Sequence, residues 1–216
     1  MTTFYEEFVE CGVCGSASPQ EILGSFSTTG TPDLDLRQTC PGFDPIRFMI
    51  QRCSFCGYCS RDLSDGTTAL KEIIEGAAYQ EQLENPDYPE MGNSYLCSAM
   101  IQEMTGRVPE AIWDTLHASW ICDDEGHDDQ AGTCRIKASN LITSLNEDET
   151  FTKDKMTDLC VHVDLLRRAR KFKQAADLVE EGLVRSDDEM LVKILLFEEK
   201  LIKERDKGRH GVGEVV

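Results

Sequence analysis

Two different rhythms of apolar and polar residues divide this chain. Up to about residue 67 the apolar runs are short and broken by Gly, Pro, Asp and Ser. Among them, Ile22-Leu23-Gly24-Ser25-Phe26 and Ile46-Arg47-Phe48-Met49-Ile50 predict strands. Asp62-Leu63-Ser64-Asp65-Gly66 is a turn-rich junction. From residue 68 onward the spacing is helical. Met156, Leu159, Cys160, Val163 and Leu166 share one apolar face, and Phe172, Ala175, Ala176, Val179 and Leu183 share another. Ser186-Asp187-Asp188-Glu189 has the form of a capping box, opening a last helix through Leu191, Ile194, Leu195, Leu201 and Ile202. The pattern predicts antiparallel helices over 68–83, 89–105, 108–123, 128–146, 152–169, 171–184 and 187–206, with 207–216 as a flexible tail.

Two of these helices carry the same order of small residues. Ala111, Thr115 and Ala118 match Ala175, Val179 and Gly182, at i, i+4 and i+7. That is the second-helix pattern of a tetratricopeptide repeat, in which small residues let a neighbouring helix approach closely. Ala111 and Ala175 are 64 positions apart (175 − 111), close to twice the usual repeat of about 34 residues. The expected fold is therefore mainly α. A small N-terminal β zinc ribbon over 1–67, with an inserted loop from Thr29 to Phe43, precedes an antiparallel tetratricopeptide-like array over 68–206.

Composition narrows the partners. A hydrophobic content of 40% is enough for a core, and the formal charge is −18, from 40 acidic against 22 basic residues. Such a field repels nucleic-acid phosphates and anionic membranes, and favours a basic protein or peptide. No stretch approaches the roughly 20 apolar residues that span a bilayer. Met1 to Glu7 lacks a basic start followed by an apolar run, so no secretory signal is read there and a cytoplasmic location is expected.

Ten cysteines then read as metal chemistry in a reducing compartment, ahead of a disulfide framework. Cys11-Gly-Val-Cys14-Gly15 and Cys53-Ser-Phe-Cys56-Gly57 are two C-x2-C-G knuckles. The two-residue gap lets both sulfurs of a knuckle reach one ion, and the glycine lets the backbone turn beneath it. Cys11, Cys14, Cys53 and Cys56 are thus the candidate ligands of one zinc ion. Four thiolates fill the tetrahedron and leave no place for water or substrate, so the expected role is structural. Iron is the alternative metal: Cys53-x2-Cys56-x2-Cys59 superficially resembles an iron–sulfur run with Cys40-Pro41 as a further ligand, but that set leaves Cys11 and Cys14 unexplained.

Three weaker constellations stand beside the knuckles. Cys122, Asp123, Asp124 and His127 form a candidate second metal site, against which Cys122 and Cys134 also suit small core positions and the acidic run suits a helix cap or solvated turn. His117 lies on one helical stripe with Trp113 and Ile121 and reads as a satisfied histidine among aromatic packing. In Asp33-Leu34-Asp35-Leu36-Arg37, the residues Asp33, Asp35 and Arg37 either form a recognition surface or order the loop, with Arg37 pinning it across the ribbon through a carboxylate. No phosphate-binding Gly-rich loop or nucleophile motif is present.

The knuckles, the Pro32-Asp-Leu-Asp-Leu-Arg37 segment, Gln51 to Tyr58, and Ala118 to Asp124 with Cys134-Arg135 together resemble an uncharacterised bacterial family that joins a zinc ribbon to tetratricopeptide-like helices. The family pattern usually has Pro after the first cysteine of a knuckle, where this chain has Gly12 and Ser54. The resemblance implies zinc binding and a helical scaffold, and no reaction. The leading functional expectation is a non-enzymatic adaptor offering a helical groove to a protein or peptide. The alternatives are a thiol-based redox or metal sensor, and an enzyme with its site at the ribbon–helix junction.

Overall fold

In the computed structural model, which describes residues 3–215, the chain is 55% helical, with small two-stranded antiparallel sheets confined to the N-terminal region. Strands β1 (Thr3–Glu10) and β2 (Ala17–Ser25) form a long hairpin, and β3 (Gln51–Arg52) and β4 (Cys59–Ser60) form a short one. The strand expected over Ile22–Phe26 falls in the second half of β2, which ends at Ser25. The one expected over Ile46–Ile50 is instead a single 3-10 turn, Pro45–Phe48. Pro45 presets its first position, and the Asp44 carboxylate accepts from the Ile46 amide at 3.1 Å. Strand β1, with its three glutamates, gave no strand signal in the sequence.

Eight helices follow: α1 (Lys71–Ile74), α2 (Ala77–Leu83), α3 (Glu90–Met104), α4 (Val108–Asp124), α5 (Asp128–Ser144), α6 (Lys155–Arg168), α7 (Phe172–Arg185) and α8 (Glu189–Glu204). The single helix expected over 68–83 is broken at Gly76, whose ψ of 143° is extended. Asp154 and Asp188 cap α6 and α8, accepting backbone N–H bonds that the first helical turn cannot satisfy itself. The cap of α8 is therefore Asp188, and the Ser186 hydroxyl supports it by accepting from the Asp188 amide.

One turn is used repeatedly. After α3, α4 and α6 the amide of Arg107, His127 or Lys171 donates to a carbonyl five residues back, at 2.8 Å each time. The preceding residue, Gly106, Gly126 or Arg170, adopts a left-handed conformation. These are Schellman turns, and each sends the chain back antiparallel. Four residues beyond each turn stands a buried alanine: Ala111, Ala131 and Ala175. The missing intermediate copy of the small-residue pattern is thus Ala131, Arg135 and Ala138, all buried. It falls 20 positions after Ala111 and 44 before Ala175 (131 − 111; 175 − 131), so the period of about 34 is not kept.

The knuckle region and the first helices share one core. Val13, Leu63 and Tyr58 pack with Ile74, Tyr79, Leu83 and Ile101. Residues 207–215 are not a loose end. Leu34 donates to the His210 carbonyl and Val212 donates to the Pro32 carbonyl, so the last segment pairs with the inserted loop. Arg167, fully buried between Asp164 and Glu198, fixes the same segment by donating to the carbonyls of Asp206 and Gly208. A buried guanidinium needs acceptors for all its N–H groups, and this segment supplies two.

Candidate metal centre

Each knuckle is the turn of a hairpin. Cys11–Cys14 joins β1 to β2, and Cys53–Cys56 joins β3 to β4. The two turns have the same backbone: the Cys11 amide donates to the Ser16 carbonyl as the Cys53 amide does to Tyr58, and Gly15 and Gly57 donate back to Cys11 and Cys53. Gly15 and Gly57 sit at φ of 73° and 75°, where a Cβ would be strained. Gly12 has its own reason. A Cβ there would stand 2.0 Å from the Gly66 carbonyl oxygen, and its amide donates to Leu63 at 2.9 Å. Proline, which has no N–H, would forfeit that bond.

This geometry brings the Sγ atoms of Cys11, Cys14, Cys53 and Cys56 within 4.8 Å of one another. The closest contacts cross between knuckles, Cys11 to Cys56 and Cys14 to Cys53, both at 3.7 Å. A tetrahedron with metal–sulfur bonds of about 2.3 Å has edges of about 3.8 Å, which the two cross-knuckle contacts match, so the cluster is compatible with four sulfurs around one ion. Among the described residues this is the one cluster of His, Cys, Asp or Glu so arranged. Cys40 and Cys59 lie outside it, so the run from Cys53 to Cys59 is not the ligand set.

The thiols already respond to one another. Burial pushes Cys11 and Cys56 above the ordinary thiol range. At Cys14 burial also opposes ionisation, but the Ser16 amide and hydroxyl and the neighbouring Cys56 and Cys53 outweigh it and bring the thiol down to about 7. One thiolate is readily formed and further ionisation is resisted, which is the behaviour of clustered thiols facing no cation. A divalent ion removes that resistance, and binding would release protons.

Beneath the second knuckle, the Tyr79 hydroxyl donates to the Gly57 carbonyl at 3.0 Å and accepts from the Cys59 amide at 3.1 Å. Cys59 and Cys97 are buried beside it. The helical region thereby positions the turn that carries Cys53 and Cys56.

The other candidates fall differently. Asp33, Asp35 and Arg37 are all buried, and they order the loop against the helices. Arg37 binds the Asp124 carboxylate through both terminal nitrogens, at 3.0 and 2.6 Å, and also pairs with Asp44. The loop is therefore pinned to α4 rather than across the ribbon. Asp35 accepts from the Trp120 indole at 2.7 Å and from Arg168 at 2.6 Å, while Asp33 pairs with Arg209. The second-metal constellation is not assembled. Cys122 is fully buried in the main core with Cys134, Asp123 is bound by Arg135 and Arg168, and Asp124 by Arg37. The His127 ring turns away to the Asp87 carbonyl at 3.0 Å. His117 packs among Tyr95, Trp113 and Trp120, yet its Nδ1 has no hydrogen-bond partner among the described residues, so it is not the satisfied histidine expected. The sequence pattern places Trp113, His117 and Ile121 on one stripe; the ring that completes the aromatic group is Trp120, at i+7 from Trp113.

No helix of the described residues is long and apolar enough to cross a membrane. Comparison of the chain with protein-family models, curated proteins and solved structures finds no match.

Proposed function

We propose that Cys11, Cys14, Cys53 and Cys56 hold one structural zinc ion, and that the chain is a non-enzymatic cytoplasmic adaptor whose hairpin β1–β2 docks a basic protein segment. The observation that carries this reading is the placement of all four sulfurs on the turns of two hairpins. Zinc suits four thiolates in a closed tetrahedron, and there it would fix the direction of the long hairpin relative to the helices. The resemblance to a zinc-ribbon and helical-repeat family supports the same reading.

The hairpin is the surface on offer because the loop from Thr29 to Phe43 covers part of the helical face, seating Asp35 on Trp120 of α4 and Arg168 of α6. Phe8 is 69% exposed and Tyr5 is 50% exposed. Glu6 and Glu21 stand directly opposite each other across the sheet. Like charges so placed repel, and a lysine or arginine laid between them with its aliphatic stem on Phe8 would relieve that repulsion.

Metal analysis of the purified chain tests the first part: one zinc per chain is expected, lost in Cys14→Ser/Cys56→Ser. Affinity capture tests the second. Basic proteins bound by the wild type should be released by moderate salt and lost with Glu6→Lys/Glu21→Lys. Capture unchanged by that double reversal overturns the hairpin as the docking surface and leaves the zinc assignment standing.

A further inference from the structure

Between the inserted loop and α4 lies a cavity of 510 Å³ that the proposed adaptor role does not use. Both tryptophans of the chain line it, with His117 between them on the same helical stripe. Leu36 of the loop, and Ile46 and Met49 of the 3-10 turn after it, line it as well. Its walls are thus flat and apolar, of the kind that takes an aromatic ring. His117 is 6% exposed and its Nδ1 is unpartnered, a buried polar atom left without the bond such atoms normally make. Burial, with Arg61 and Arg37 nearby, holds its pKa down to about 3, so the imidazole is neutral.

Two guanidinium groups mark the polar side of the cavity, in a chain whose net charge is −18. Arg37 is engaged by Asp44 and Asp124 and lies 5.5 Å from the centre of the Trp120 ring. Arg61 differs. Its Nη2 donates to the buried Asp114 at 3.0 Å, but its side chain is 48% exposed. It therefore presents a donor edge at the cavity that can still take a carboxylate. Glu110 is the one acidic residue of the lining, and it is exposed.

We propose that this cavity binds a small aromatic carboxylate, its ring stacked among Trp113, His117 and Trp120 and its carboxylate on Arg61. The site is independent of the zinc centre and of the hairpin.

The full-length chain loaded with zinc can be titrated with 2-naphthoate, following tryptophan fluorescence and heat. Both reporters line the cavity, so saturable quenching with one-site stoichiometry is expected. The acid should bind about tenfold more tightly than 2-naphthalenemethanol, the typical gain from a charge-assisted hydrogen bond. Naphthalene-2-methylamine should bind most weakly. Arg61→Gln should bring the acid to the level of the alcohol. Because that change strips Asp114 of its partner, Glu110→Gln provides an exposed second variant. Removing its like charge should tighten the acid about twofold and leave the alcohol unchanged. Absence of saturable quenching, equal affinity for acid and alcohol, tightest binding of the amine, or an acid affinity indifferent to Glu110→Gln would each overturn the proposal.

Discussion

Tyr79 of α2 reaches into the second knuckle, where its hydroxyl donates to the carbonyl of Gly57 at 3.0 Å. The same oxygen accepts from the Cys59 amide, so one side chain satisfies two backbone groups just after Cys56. The geometry of the candidate metal site and the packing of α2 are therefore coupled. Tyr79→Phe keeps the ring and strands both backbone groups in a buried place. A loss of about 1–3 kcal/mol is expected from such orphaned groups, together with a roughly tenfold weaker hold on zinc, as for other groups that orient ligands. Thermal melts and competition with a chromogenic chelator measure the two effects. A melting loss with unchanged zinc affinity would uncouple helix from knuckle.

The two knuckle glycines separate conformation from crowding. Gly15 and Gly57 share a left-handed φ, but a Cβ on Gly15 meets nothing within 4 Å, whereas on Gly57 it would stand 2.5 Å from Leu83 Cδ2. Gly15→Ala should cost about 1–2 kcal/mol, the strain of an L-residue in that region. Gly57→Ala should cost measurably more, because Leu83 is buried against the knuckle and must shift. Chemical denaturation of the two zinc-loaded variants gives the comparison, and equal losses would show that Leu83 yields freely.

The helices were legible because α6 and α7 keep a 3.6-residue stripe, and the knuckles because C-x2-C-G has one common geometric use. The loop was harder. Asp35 reads as a polar residue in an alternating run, yet it is buried by partners 85 and 133 positions away, Trp120 and Arg168. No local pattern announces pairings at that distance. Residues 207–215 were missed for the same reason, since Arg167 holds them from two helices earlier. Ala131 was hidden by period. A period of about 34 puts a copy midway between Ala111 and Ala175, but the shared Schellman turn after α4 places it after only one helix.

Asp35 gives the sharpest test of how the loop is held. Asp35→Ala leaves the Trp120 indole without its acceptor and Arg168 with Asp123 as its remaining close carboxylate. Breaking a buried pair typically costs about 3–5 kcal/mol when the charge is left alone, so a loss of about 3 kcal/mol is expected. Asp35→Asn retains an oxygen for the indole and loses only the charge, so it should cost clearly less. Urea denaturation ranks the variants, and Trp120 emission reports the loop locally. If Asp35→Ala is as stable as the wild type, the network is not what orders the loop.

His162 makes acid sensitivity assignable to one side chain. It is half-buried, its Nε2 lies 2.7 Å from Ser139 Oγ, and burial lowers its pKa to about 4. The unfolded chain, with an ordinary histidine value near 6.5, binds the proton first as pH falls. The contribution of His162 is thus fully present above about pH 6.5 and is lost as pH drops toward 4, by about 1.4 kcal/mol per pH unit. His162→Gln can keep a bond to Ser139 and has no proton to take up. Between pH 6.5 and 5 the wild type should therefore lose about 1.5 kcal/mol more than this variant, the slope being shallower near pH 6.5. Zinc release in acid affects both proteins alike and cancels in the difference. Stability measured by urea titration at several pH values reads it directly, and parallel pH profiles for the two chains would place the protonation of His162 outside the folding equilibrium.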